Sequence, residues 1–153
     1  MKKLVCLILA LLMIWSLTAC GQEKEAAPVD LNALYESFEQ YMPEMFYPDE
    51  ATLMNFLGID AQDCAQYQVA VCAEGMRADE VWLIEAKDAA ALERLHQMAQ
   101  TRIAAKLDET VSYVPDQYEI VEKAEIIVNG RYLALLISPD VDALKAGFEK
   151  AVK

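Results

Sequence analysis

The chain has 153 residues, with 13 Lys and Arg against 25 Asp and Glu, giving a formal net charge of −12 at pH 7. Such a balance excludes a nucleic-acid-binding surface, because affinity for phosphate backbones comes mostly from Lys and Arg releasing counterions. The length supports one domain with a sizeable core and is too short for two.

The first element is a targeting segment. Lys2 and Lys3 precede an apolar run from Leu4 to Ala19 that ends in Leu17-Thr18-Ala19-Cys20, small residues before a cysteine. A positive start, a short apolar stretch and a small-residue cleavage site make a secretory signal peptide, and a cysteine just after the cleavage point makes it a lipobox. The run is too short for a membrane span, which takes about 20 predominantly apolar residues. Residues 1–19 are therefore expected to be removed, and Cys20 to carry a diacylglycerol thioether with palmitate-type acyl chains. Two long chains anchor stably where one would not. The remaining chain, with 11 basic and 25 acidic residues and so a charge of −14, is expected at the outer face of the cell membrane. Residues 20–30 read as the lipidated cysteine and a flexible tether without large apolar side chains; ten such residues reach roughly 17 Å.

Residues 31–153 read as a single α+β domain. Asp30 is an N-cap candidate for a helix with Leu31, Leu34, Tyr35, Phe38, Tyr41 and Met42 on one stripe, ended by Pro43. A second short helix fits 48–57, with Asp49 at its start, Leu53, Phe56 and Leu57 inward and Gly58 just past its end. The aromatics Tyr41, Phe46, Tyr47 and Phe56 are assigned to core or helix contacts rather than to a pocket.

From Tyr67 the period becomes two. Tyr67 to Cys72, a loop carrying Gly75, and Glu80 to Ile84 predict an antiparallel hairpin. A long amphipathic helix is expected from about Asp88, with Leu92, Leu95, Ala99, Ile103 and Leu107 on one face, stopped by Tyr113, Pro115 and Asp116. A strand from about Tyr118 to Val128 then turns at Asn129-Gly130 into Arg131 to Ile137. That turn pairs Val128 with Arg131, Ile126 with Leu133 and Ala124 with Leu135, and makes Ile126, Leu133, Leu135 and Ile137 core. Ser138 as N-cap and Pro139 at N1 open a last helix burying Val141, Leu144, Phe148 and Val152. The expected architecture is a four-stranded antiparallel sheet from two hairpins, each followed by a helix (ββαββα). Its helices lie on one face, and one or two short helices precede it.

Ala78-Asp79-Glu80, Lys87-Asp88, Arg102, Tyr113-x-Pro115-x-x-Tyr118, Gly130-x-Tyr132 and Ser138-x-Asp140 together resemble an uncharacterised family of small Gram-positive lipoproteins, domain-of-unknown-function family 4358. The resemblance covers the chain from about Met45 onward. It implies location and fold; the family brings no assigned activity and no functional residue. Cys64 and Cys72 are not part of the pattern.

Catalytic constellations are thin. His96 is the only histidine, no G-x-S-x-G occurs, and the position of His96 one turn after Leu92 marks it as a boundary residue of its helix. Zinc would have only His96, Cys64 and Cys72. Asp79-Glu80 and Asp108-Glu109 read as solvated ends of elements, and Asp140-x-Asp142 lacks the rest of a calcium loop. If Ala65 to Cys72 is extended, Cys64 and Cys72 sit too far apart for a disulfide and remain free thiols. No metal, no catalytic residue and no cofactor beyond the lipid on Cys20 is expected. The remaining function is a non-enzymatic binding or interaction module of the cell envelope, with an envelope protein or a small ligand as partner. The alternative is a carboxylate-based or metal-assisted envelope enzyme.

Overall fold

The computed structural model of the protein describes residues 28–153. The expected signal peptide, the expected lipobox Leu17-Thr18-Ala19-Cys20 and the expected tether as far as residue 27 lie outside the described residues. The chain forms helix α1 (Leu31–Glu36), strand β1 (Met45–Phe46), a short helix α2 (Glu50–Thr52) continued by a π turn (Leu53–Leu57), and strands β2 (Cys64–Cys72) and β3 (Glu80–Ala86). Helices α3 (Ala89–Tyr113) and α4 (Pro115–Glu122), strands β4 (Glu125–Asn129) and β5 (Tyr132–Ile137) and helix α5 (Val141–Ala151) follow. The strands make one antiparallel sheet in the order β1-β2-β3-β5-β4.

Capping residues start the helices where the sequence puts them. Asp30 Oδ1 accepts from the Asn32 and Ala33 amides, Asp49 Oδ1 from Thr52 and Asp88 Oδ1 from Ala91, each satisfying an otherwise unpaired first-turn donor. Gly58 closes the π turn at φ +71°, a left-handed conformation that suits glycine. The first stripe is shorter than expected, however: α1 ends at Glu36 and a separate 3-10 turn covers Glu39–Tyr41.

The α+β class holds, and the sheet has five strands rather than four. The additional strand, β1, pairs Met45 with Cys72 and Phe46 with Val71; two residues are too few to show any period in a sequence. The stretch expected to be a strand from Tyr118 is the helix α4, and β4 begins only at Glu125. Pro115 at the first helical position presets φ and has no N–H to leave unpaired, so it starts a new helix as readily as it stops the old one. Two helices therefore separate the hairpins, and the chain is not a plain ββαββα.

Both faces of the sheet are covered. On one face Val69, Trp82, Ile84, Leu133, Leu135 and Ile137 pack against Ala91, Leu95 and Ala99 of α3, Val121 of α4, and Leu53, Leu57 and Ile59. On the other, Ala70, Val81, Leu83, Ala134 and Leu136 meet Leu31 and Tyr35 of α1, Phe38, and Val141, Leu144 and Phe148 of α5. The expected single helical layer is corrected accordingly: every residue of β3 is buried, and an antiparallel sheet whose strands are apolar on both sides needs both faces packed. The two hairpin-helix units are not repeats of each other. A two-fold axis relating antiparallel β3 and β5 would set α3 and α5 on the same face.

The last hairpin turns one residue later than expected. Asn129 still pairs with Tyr132, and the loop is Gly130-Arg131, with Gly130 at φ +59° and no positive φ at Arg131. Glycine in the first loop position with a positive φ is the type II′ pattern, whereas Asn129-Gly130 as the loop would need positive φ at both. Asn129 Nδ2 instead donates to the Val152 carbonyl. Ile126 consequently faces Leu135; the pairing slips by two, so each side chain keeps its face. The final helix also starts later than expected. Ser138 Oγ accepts from the Asp140 amide in a local turn, and α5 begins at Val141.

Cys64 and Cys72 occupy the two ends of β2, both buried and both free thiols. Eight rises of about 3.4 Å hold them far beyond the 7 Å that a bridge tolerates. Burial also pushes the Cys64 thiol up to about 11, which suppresses its thiolate. The native protein should resist a thiol reagent at Cys64 at pH 8, and both cysteines should react after denaturation without reductant. Mass spectrometry detecting a Cys64–Cys72 bridge would contradict β2.

Candidate functional site

The inward stripe of α3 changes character along its length. Ala91, Leu95 and Ala99 are buried apolar residues, and the same i, i+3, i+4 row continues into Arg102, Lys106 and Thr110. Opposite them, Glu80 stands on β3 on the same side as Trp82 and Ile84, fully buried. Glu80 Oε1 accepts from Trp82 Nε1 at 2.8 Å and from Arg102 Nε at 3.0 Å. Its Oε2 lies 2.8 Å from Arg102 Nη2 and 3.1 Å from Lys106 Nζ. Lys106 also donates to the Ala78 carbonyl at 3.0 Å. One carboxylate thus holds two cations in a place where water reaches neither well.

Above this cluster a cleft opens at the Glu80 end of the sheet. One lobe of about 300 Å³ is lined by Phe56, Val71, Met76, Arg77, Arg102 and Lys106, with Glu109 and Thr110 among its other walls. A second lobe of about 270 Å³ lies between Phe46, Pro48, Thr52, Phe56, Leu57, Val71 and Arg102. Phe56, Val71 and Arg102 line both, so the two lobes adjoin. The rim is apolar and wet: Phe56 is 76% exposed, Met76 66% and Phe46 51%. Isolated exposed apolar residues are ordinary, but three large ones on a shared cleft form a patch of the kind that marks contact sites.

Several residues assigned from sequence change role. Phe56, expected inward, is the most exposed of the large apolar side chains on the cleft; a π turn presents its five residues differently from a regular helix, and here Leu53 and Leu57 alone are buried. The aromatics Tyr41, Phe46, Tyr47 and Phe56 are all at least one-third exposed and so do not form a core. Asp79 and Glu80, expected to be solvated, are both fully buried. Asp79 Oδ2 accepts from Arg77 Nε at 3.0 Å, and its Oδ1 is buried without a partner among the described residues. Asp108 and Glu109 are exposed, as are Asp140 and Asp142. His96 is half-buried on α3, away from both lobes. Among the described residues no three His, Cys, Asp or Glu side chains gather as a metal site requires.

The sequence signal for the charged cluster was present in the period of α3. Counting on from Leu95 and Ala99 by threes and fours reaches Arg102 and Lys106, and counting back by twos from Trp82 reaches Glu80. The motif residues Ala78, Asp79, Glu80 and Arg102 meet here, and Gln117, within the Tyr113 to Tyr118 motif, accepts from the Ala78 amide through Oε1 at 3.0 Å. Ser138 lies beyond the Glu80–Ile137 pair, so the Ser138-x-Asp140 motif reaches the same end of the sheet. No curated protein and no solved structure matches the chain. Residues 38–138, which hold the five strands, α2, α3, α4 and the whole cleft, match the model of the family described as Domain of unknown function (DUF4358), and the chain belongs to that family.

Proposed function

We propose that the protein is a membrane-anchored extracytoplasmic lipoprotein acting as a non-enzymatic binding module of the cell envelope, with the cleft rimmed by Phe46, Phe56 and Met76 as its contact surface. The supporting observation is the gathering of large exposed apolar side chains on one cleft of a strongly acidic chain, where solubility alone would disfavour them. A binding role is also favoured over carboxylate catalysis by Glu80 itself. The carboxylate beneath the cleft is spent on two cations and an indole rather than poised for proton transfer.

The tether suits such a role. Val29 donates to Tyr132 Oη at 3.1 Å and accepts from Gln66 Nε2 at 2.7 Å, which fixes the entry of the chain at the Glu85–Tyr132 end of the sheet. The cleft lies at the Glu80 end of β3, about 17 Å away at 3.4 Å per residue. A lipid on Cys20 would attach at the entry end and not at the cleft.

The anchor is tested by Cys20→Ala, which should abolish labelling by a radioactive fatty acid and leave the protein uncleaved or released; persistent acyl labelling would overturn the lipoprotein assignment. The contact surface is tested by placing a photo-crosslinking benzoylphenylalanine at position 56 in intact cells. Defined adducts should form there and be absent when the same residue replaces exposed Val128 on the edge strand. Adducts at neither position, or equally at both, would remove the cleft as the binding surface.

A further inference from the structure

We infer that the cleft receives the carboxyl terminus of a peptide or protein whose last residue is large and apolar; this rests on the proposed binding role and names its ligand class. Three of the chain's 13 Lys and Arg residues, Arg77, Arg102 and Lys106, line the first lobe, against Glu109 alone of its 25 Asp and Glu. Their acidic partners, Asp79 on Arg77 and Glu80 on Arg102 and Lys106, are fully buried and do not line the lobe, so its wall presents cations in a chain that is otherwise acidic. Glu80 supplies one negative charge for the two positive charges of Arg102 and Lys106, whose side chains are 17% and 8% exposed. Glu109 is exposed and makes no ion pair with either. An uncompensated cation in so dry a place is costly, and an incoming anion relieves it.

Donors are left over to receive that anion. The guanidinium of Arg102 uses Nε and Nη2 on Glu80, and its Nη1 makes no hydrogen bond among the described residues. Lys106 has three N–H donors; it hydrogen-bonds the Ala78 carbonyl and forms an ion pair with Glu80 Oε2 at 3.1 Å. A carboxylate entering the first lobe would find a planar donor and an ammonium together, an arrangement used for capturing carboxyl termini.

The second lobe specifies what is attached to the carboxylate. The apolar stem of Arg102 borders it as well, so a place for the anion and a place for the apolar group lie side by side. The final residue of a chain carries both on one Cα, its side chain placed against Phe46, Phe56, Leu57 and Val71. The largely exposed rim leaves one side of the ligand in water. That suits a peptide, whose outer side is polar backbone, better than a free acyl chain, which needs an enclosing cavity. The chain enters the domain at the opposite end of the sheet, so its attachment point does not crowd the cleft.

The test retains random pentapeptides with free carboxyl termini, and the same library amidated, on the full chain held in lipid nanodiscs. Leu, Ile, Met or Phe should be enriched at the last position of the free-acid pool, with amidation weakening the selected peptides by about tenfold. Phe56→Ala, a change at an exposed side chain, should weaken them by about fivefold or more with an unchanged melting temperature, and Arg102→Lys should weaken them while keeping the charge. Equal retention of the amidated pool, absence of any enrichment, or indifference to Phe56→Ala would each overturn the assignment. Displacement by octanoate at concentrations below those of the free-acid peptides would overturn it in favour of a fatty-acid ligand. If the library fails while the photo-crosslinker at position 56 still gives defined adducts, the binding role stands and only the ligand class falls.

Discussion

Replacing Glu80 by Gln is expected to cost about 3 to 5 kcal/mol of stability, the range for breaking a buried ion pair from one side. The amide keeps the shape and can still accept from Trp82 Nε1, so volume and packing are nearly conserved. What disappears is the only negative charge among the described residues within 4 Å of Arg102 and Lys106, leaving two cations at a site where their side chains are 17% and 8% exposed. Urea melts of Glu80→Gln should therefore shift to much lower midpoints with an unchanged slope. The combined variant Glu80→Gln, Arg102→Leu, Lys106→Met should recover much of the loss, because it removes both unpaired cations while the amide still accepts from Trp82 Nε1. A Glu80→Gln protein within about 0.5 kcal/mol of the parent would show that the three side chains are not joined as described.

What the sequence disclosed follows from which forces are local. Asp30, Asp49 and Asp88 cap helices through amides two or three residues away, so their roles could be read directly, as could the end of the π turn at Gly58. The hairpins were visible because alternation and a glycine-bearing turn are also local. Coverage of the second sheet face was not visible, since α1 and α5 are far apart in sequence and nothing in either names the other as a neighbour. The helix Pro115–Glu122 was hidden by Tyr118 and Ile120, which alternate as in a strand; what makes it helical is Pro115 at its start and the burial of Val121 beneath α3. Lys106 shows the same limit at the site. Charged residues on an otherwise apolar stripe read as the end of burial, and only the opposing Glu80, 26 positions earlier, turns them into a buried pair. Phe56 erred in the other direction, because apolar character predicts burial only where the fold supplies something to bury it.

Leu135→Ala is expected to destabilise the domain by about 2 to 5 kcal/mol, as buried large-to-small changes do. Leu135 is fully buried on β5, between two strands, with Trp82 beside it on β3 and Ile126 on β4. The sheet is held in place on both flanks and the helical layer above is continuous, so little can collapse into the space a truncated side chain leaves. Glu125→Ala, at the start of the edge strand β4, should change stability by no more than about 0.5 kcal/mol. Its carboxylate lies 3.0 Å from Lys145 Nζ, but the two side chains are 38% and 36% exposed, and an ion pair this well hydrated contributes little. The pairing slip found in this hairpin leaves the contrast intact, because a shift of two residues preserves which side of the sheet each residue faces. Chemical denaturation of the two variants side by side decides it. Similar losses at both positions would mean that β5 is not the packed inner strand of the sheet, and a larger loss at Glu125 would mean that its contact with α5 contributes more than its exposure allows.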